Sequence, residues 1–298
     1  MYPELRGPKG TIPVVRPNFA PYVRGEVRAA SIEEYEALPQ VAGRTRLYAG
    51  LYSPTPCKAV SSWANDFGDA VQPGTFSVIE TAVVCPGTNP STTMELVGAA
   101  TSRDPYNFGN STLRLQFEFA TQGDVTGDLI GGWHGTKYGF IPAGDAPYSN
   151  GIALTPVSTV GGFQYTSYFI ITQVGSNWWI GHNGNWLGYY EGFRFDMLNS
   201  GGCQAHWYGE VYDPTPTDWT STNMGSGRHA SGGFGQAAYV MTPIYVDLAG
   251  VSRWPTGGSY SSPQDSTCYT RSPLYTGPPG QDRYFFLGGP GGEAVGCN

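Results

Sequence analysis

Thr112-Leu113-Arg114-Leu115-Gln116-Phe117-Glu118-Phe119-Ala120 alternates apolar and polar side chains along its length. Successive side chains of a strand point to opposite faces, so Leu113, Leu115, Phe117 and Phe119 share one face and Arg114, Gln116 and Glu118 the other. That is the pattern of a half-buried antiparallel strand. Runs rich in β-branched and aromatic residues recur around it: TFSVIETAVV (75–84), FQYTSYFIITQV (163–174), SNWWIG (176–181), AHWYGEVY (205–212), AAYVMTPIYV (237–246) and RYFFLG (283–288). Gly/Pro turns separate the runs and no helices alternate with them, which predicts an all-β chain folded as an antiparallel two-sheet β-sandwich. The one helix signal is N-terminal: Ser31 and Glu34 make a capping box opening SIEEYEAL, which Pro39 stops.

Composition agrees with this reading. Of 298 residues, 43 are Gly and 24 Pro, and charged residues are 13% against about 25% in an average domain, which excludes a helical bundle. Apolar residues at 40% are enough to bury a core. No run approaches the roughly 18 apolar residues of a membrane-spanning helix, so no membrane partner is expected. A net charge of −7 without a basic cluster leaves nothing to neutralise a phosphate backbone, so nucleic acid is not an expected partner. Charge is uneven along the chain. Residues 1–50 carry seven basic and five acidic side chains, and residues 51–298 nine basic and eighteen acidic. The chain thus divides into a basic head with its linker, the latter around residues 39–56, and an acidic body over 51–298.

The five cysteines (Cys57, Cys85, Cys203, Cys268 and Cys297) show neither C-x-x-C spacing nor alternation with His, so disulfides are expected rather than a metal. Cys57–Cys85 and Cys268–Cys297 are the expected pairs, with Cys203 single. Together with scarce lysine (Lys9, Lys58 and Lys137), this is the style of a secreted protein, while MYPELRGPKG lacks the charged-then-apolar layout of a signal peptide and leaves a removed leader or a cytoplasmic chain as alternatives.

Nucleophilic machinery fits poorly. Ser226 precedes His229 by three residues in MGSGRH but lacks the strand–turn–helix setting of a nucleophile elbow, and His206 has no second His or Cys nearby to hold zinc. Carboxylates remain: the body holds only Glu80, Glu95, Glu118, Glu191, Glu210 and Glu293. In AHWYGEVY, Glu210 shares a strand face with His206, Tyr208 and Tyr212, either a binding surface for an extended polymer or a solvated strand face. Glu95 shares a face with Val97 and Ala99, and Glu80 lies among Phe76, Val78 and Ala82, so both are expected to be desolvated. Glu118, with Arg114 on its own face, reads as a surface ion pair. Two desolvated glutamates can share one proton and so offer an acid and a base together.

Several strings, in order, carry a resemblance: GTIPVVR, SNWWIG, NWLGYYEGFRF, WYGEVY, TNMGSGRHASGGFGQAAYV and YFFLGGPGGEAVGC. They resemble the neprosin family of glutamic peptidases over nearly the whole chain. The resemblance implies a β-sandwich catalytic domain behind an N-terminal pro-segment, two catalytic glutamates, no metal or cofactor, and cleavage of protein or peptide substrates in acid, often after proline. The family's W-G-G-E-V pattern is matched by Trp207-Tyr208-Gly209-Glu210-Val211, which makes Glu210 one glutamate. Its I-E-A-G-W pattern is matched by Met94-Glu95-Leu96-Val97-Gly98 without the tryptophan, which makes Glu95 the other; LIGGW around Ile130 is a competing alignment that would leave no first glutamate. Glu80 stands where the family tends to have Gln, and Glu80, Tyr208, His206, Tyr212 and Trp179 are the expected cleft residues. On this reading residues 1–50 are a pro-segment over an acidic cleft, with Arg44 and Arg46 among its contacts, on a secreted monomeric zymogen. A β-sandwich glycoside hydrolase with paired carboxylates, or a non-catalytic lectin-like module, are the alternatives.

Overall fold

The computed structural model describes residues 46–69, 71–85, 95–120, 131–132, 139–213, 222–256, 258–261, 268–277 and 282–291. The helix expected at 31–38, Arg44 and Cys297 lie outside the described residues.

In chain order the strands are β1 (Arg46–Ser53), β2 (Cys57–Asn65), β3 (Phe76–Cys85), β4 (Glu95–Arg103), β5 (Leu113–Ala120), β6 (Gly131–Gly132), β7 (Phe140–Pro142), β8 (Thr166–Val174) and β9 (Asn177–His182). Then follow β10 (Asn185–Tyr190), β11 (Gln204–Tyr212), β12 (Ala238–Asp247), β13 (Ser252–Arg253), β14 (Ser259–Ser261), β15 (Thr270–Arg271), β16 (Tyr275–Thr276) and β17 (Arg283–Gly288). Helix is confined, among the described residues, to single turns, of which α1 (Pro105–Phe108) and α2 (Met197–Ser200) are α-helical. The strands form two sheets, one ordered β14-β1-β11-β3-β4-β5-β6 and one containing β15-β17-β12-β2-β8-β9-β10-β7, with antiparallel ladders throughout. This is the expected all-β two-sheet sandwich.

The core lies between the sheets. Leu115, Phe117 and Phe119 of β5 meet Phe169 and Ile171 of β8, Trp178 and Ile180 of β9, and Tyr190 of β10, all buried in one cluster. Trp207 of β11 also anchors here, and its Nε1 donates to Ser61 O across the sandwich at 3.1 Å. The expectation of a half-buried β5 needs correction, because Gln116 and Glu118 are buried as well, and β3 and β4 are buried along their whole length. β3 and β4 are thus buried on both faces.

Two motif segments far apart in sequence pack on each other. A Cβ at Gly209 would press against Met224 and Leu287, so the glycine of WYGEV is what seats the buried Met224 of MGSG. Buried Arg103 fixes the same loop, its Nη2 donating to Gly225 O at 2.7 Å, Asn223 O at 3.3 Å and Ser77 Oγ at 3.0 Å.

The chain boundary and the cysteines depart from expectation. Residues 46–53, assigned to the head and linker, form β1, paired along its length with β11. The disulfide is Cys85–Cys203, and Cys57 is a free, buried thiol. Register explains the pairing: Gln204 lies opposite Val84, which brings Cys203 beside Cys85, whereas Cys57 opens β2 in the other sheet. Burial pushes the Cys57 thiol up to about 12, so it stays protonated. Cys268 is disulfide-bonded.

Candidate functional site

β11 lies between β1 and β3, and its outward side chains define the site. Tyr208 is directly opposite Glu80 of β3, and Glu210 is opposite Val78 of β3 and Tyr48 of β1. Glu80 and Glu210 are therefore diagonal neighbours on one sheet face, a relation that corresponds to about 7–8 Å between backbones. Tyr208 Oη donates to Glu80 Oε2 at 2.7 Å, and Tyr48 Oη to Glu210 Oε1 at 3.2 Å. The two tyrosine rings meet edge to face with centroids 5.9 Å apart. Each carboxylate thus has a phenol holding it, and the phenols brace each other.

Two glycines shape this face. Opposite Tyr208 on β1 is Gly50, where a Cβ would collide with Tyr208 itself. On β4, a Cβ at Gly98 would overlap Glu80 Oε1, so the Glu80 carboxylate occupies the place of a missing side chain. Directly opposite Gly98 is Glu118 of β5. Glu210, Glu80 and Glu118 therefore follow one another across the same sheet face, each only 2% exposed.

Glu95 is not part of this group. It lies opposite Cys85 and one residue before Leu96, whose side chain packs with Ala82 and Tyr208 on the site face, so Glu95 projects from the core face of β4. There its Oε1 accepts the Asp196 N–H at 2.8 Å and its Oε2 the Leu198 N–H at 2.7 Å. Those donors belong to the first turn of α2, which has no side-chain cap of its own. Glu95 supplies that cap from a different strand. Burial raises its carboxyl above the ordinary range while the backbone N–H groups pull it back. Replacing Glu95 by Gln puts an NH2 group against one of the two N–H donors, so about 1–3 kcal/mol of stability is expected to go. A urea or thermal melt of Glu95→Gln reads this directly, and an unchanged melt would contradict the capping role.

Of the other expected residues, two join the site face. Tyr212 stacks on Phe76 at 5.0 Å, and His206 stacks on Tyr52 at 5.6 Å with Nε2 3.4 Å from Gln204 Oε1. Complete burial drives His206 down to about 3, so the ring is neutral across the ordinary pH range. Trp179 does not join them. It lies on β9 of the second sheet, on the outer face, against Trp186 and Tyr189. Glu118 is buried rather than at the surface, and Arg114 instead donates to Gly151 O at 2.8 Å and covers the Phe108 ring. Ser226 Oγ donates to Gln236 O at 2.6 Å and accepts the Arg228 N–H, a turn-stabilising role with His229 outside it.

Tyr48 escaped the sequence reading. Its strand, RLYAGLYS, does alternate: Leu47, Ala49 and Leu51 are buried in the core while Tyr48, Gly50 and Tyr52 face the site. The run is short and directly follows the basic head, so composition groups it with the linker.

A two-sheet antiparallel sandwich with clustered carboxylates on one sheet defines the class of protein. The model of the neprosin family matches residues 73–290, and the chain belongs to that family, which places it in a relationship with peptidases. The matched span covers β11, the MGSG loop and all three glutamates of the site face. Among solved structures, CG-16, a homodimeric agglutinin from chicken liver, is 13% identical with a TM-score of 0.25 over 57% of this chain and 92% of that one.

Proposed function

We propose that the protein is a secreted glutamic endopeptidase in which Glu80 and Glu210 are the catalytic pair. The observation that carries the proposal is their diagonal placement on one face, each carboxylate held by a tyrosine hydroxyl. The mechanism uses one ionised and one protonated member of the pair. The ionised member takes a proton from a water molecule between them as that water attacks the scissile carbonyl. The protonated member donates to the developing oxyanion; as the C–N bond then breaks, the proton gained from water goes to the leaving amine and the new hydroxyl returns a proton to the donor glutamate. No covalent acyl-enzyme forms. Tyr208 and Tyr48 orient the carboxyls and, by donating to them, favour the acceptor geometry the water needs.

Two finer features belong to the same reading. The Cys85–Cys203 disulfide suits an oxidising compartment and so supports secretion. Glu80 and Glu210 are each 2% exposed, so substrate reaches them only after the site opens. That supports synthesis as a zymogen with the basic head as its inhibitor. The pro-segment would have to end before Arg46, because β1 is hydrogen-bonded to the strand that carries Glu210.

Incubating the full-length protein with a denatured proline-rich protein, and separately with a soluble polysaccharide, at neutral and mildly acidic pH tests this. Peptides cut beside proline, appearing only in acid together with N-terminal shortening, are expected. Reducing ends without peptides would replace the peptidase by a glycosidase, and activity from an intact chain would remove the zymogen.

A further inference from the structure

We propose that the outer face of the second sheet is a binding platform for an extended, uncharged polysaccharide, separate from the carboxylate site on the first sheet. Cross-strand register builds the platform. Tyr284 of β17 lies opposite Met241 of β12, Met241 opposite Trp63 of β2, and Trp63 opposite Tyr168 of β8, a row running straight across four strands. Further along, Thr172 of β8 is opposite Trp179 of β9, which is opposite Tyr189 of β10, and Trp186 of β10 is opposite Gly181. From β17 to β10 this is five strand spacings, about 24 Å.

The rings are presented to solvent. Trp63 is 37% and Trp186 43% exposed. Trp63 lies 5.0 Å from the Tyr168 ring, and Trp179 lies 4.7 Å from Tyr189 and 6.1 Å from Trp186. A Cβ at Gly181 would meet Cε3 and Cζ3 of Trp186 at 3.2 and 3.3 Å, so the Trp186 ring lies over the backbone of β9 where the glycine has no side chain. Small residues between the rings, Ser61 and Gly181 among them, keep the surface low.

The chemistry of this face selects the ligand. The outward positions from Tyr284 to Trp186 hold no Asp, Glu, Lys or Arg, although the molecule carries a net charge of −7. An ionic partner finds no complement here. Accessible aromatic faces are electron-rich and attract the polarised C–H bonds on the flat side of a pyranose ring. Around them stand neutral hydrogen-bonding groups that suit hydroxyls: the tyrosine hydroxyls, Thr172, and the exposed Asn183 and Asn185 at the β9–β10 turn. An uncharged aromatic patch of this extent on a protein surface marks an interaction site.

The test is retention of the full chain on microcrystalline cellulose and on insoluble chitin, comparing wild type with Trp63→Ala, Trp186→Ala and the double variant. Both side chains are substantially exposed, and circular dichroism with a thermal midpoint verifies that each variant is folded. Retention of wild type on at least one matrix, weakened about tenfold by each substitution and abolished in the double variant, is expected, with peptide cleavage unchanged. No retention of wild type, or retention that survives in the double variant, overturns the proposal. So does concentration-dependent self-association in sedimentation that the double variant abolishes, because the face would then belong to a second copy. Binding and peptide cleavage are separate readouts, so failure here leaves the carboxylate site untouched.

Discussion

Glu210→Gln and Glu80→Gln are each expected to lower peptide turnover by about 10²–10⁴ while the fold is kept. Glutamine preserves the shape of each side chain and an oxygen that can accept from Tyr48 or Tyr208. What it removes is the capacity to hold and release a proton. The double variant should be little worse than either single one, since two groups acting as a unit do not contribute additively. Glu95→Gln provides the contrast. It should melt earlier and cut peptides nearly as fast per folded molecule, because its carboxylate is committed to the α2 backbone on the other face of β4. Gly98→Ala reaches the same machinery without touching an acid. The new methyl occupies the place of Glu80 Oε1, and displacement of a catalytic group by about 1 Å costs on the order of 10²-fold in rate. Kinetics of the five purified variants on one defined peptide decide the matter. A fully active Glu80→Gln beside an inactive Glu95→Gln would return the first glutamate to Glu95.

The two buried histidines are expected to weaken the fold in acid. His206 and His182 are buried, and burial holds them near 3 and 4 in the folded chain, against 6.5 when unfolded. Both values are depressed, so their contribution is fully present above about pH 6.5 and is lost as pH falls toward 3 to 4, where the unfolded chain binds protons that the folded chain refuses. Each histidine costs at most about 1.4 kcal/mol per pH unit within that window. Asp66 works in the opposite direction. Burial holds it up at about 7 against 3.8, so its contribution is present below about pH 4 and is lost as pH rises to 7. Between pH 6 and 4 the two histidines are opposed by Asp66, and by Asp69 and Glu95, whose carboxyls burial also raises. His206→Gln, measured in a Glu210→Gln background that cannot digest itself, should flatten the slope by about one histidine's worth, up to about 1.4 kcal/mol per unit. Urea midpoints at several pH values give that slope. An identical slope in His206→Gln would mean that His206 is protonated in the folded protein.

How much was legible before the tertiary structure depended on residue type. The seven runs rich in aromatic and β-branched residues all appear as strands within a few residues of the expected ends, β17 at its predicted limits. β2 (CKAVSSWAN) and β4 (ELVGAATSR) carry small residues of low strand propensity. They are strands because both flanking neighbours pair with them, a property of the sheet and not of the segment. The same limit applied to the site. Glu210 stood out because its neighbours alternate in type along one strand, so its face could be read locally. From sequence a buried carboxylate such as Glu95 looks alike whether it faces a cleft or caps a helix on a distant loop. Only register separates the two, and one residue of register turns a side chain to the opposite face of the sheet.

By itself the sequence determined the class of fold, the scarcity of acids that could do chemistry and the strand face of Glu210, all of which follow from residue type and period-two alternation. The tertiary structure alone decided that Glu80 lies diagonal to Glu210 on one sheet face, that Tyr208 and Tyr48 donate to them, and that Cys203 reaches Cys85. Each of these depends on which strands lie side by side and in what register. Pairing across as many as 162 residues of chain is fixed by the closing of the whole sheet around its core, and no window of local sequence contains it.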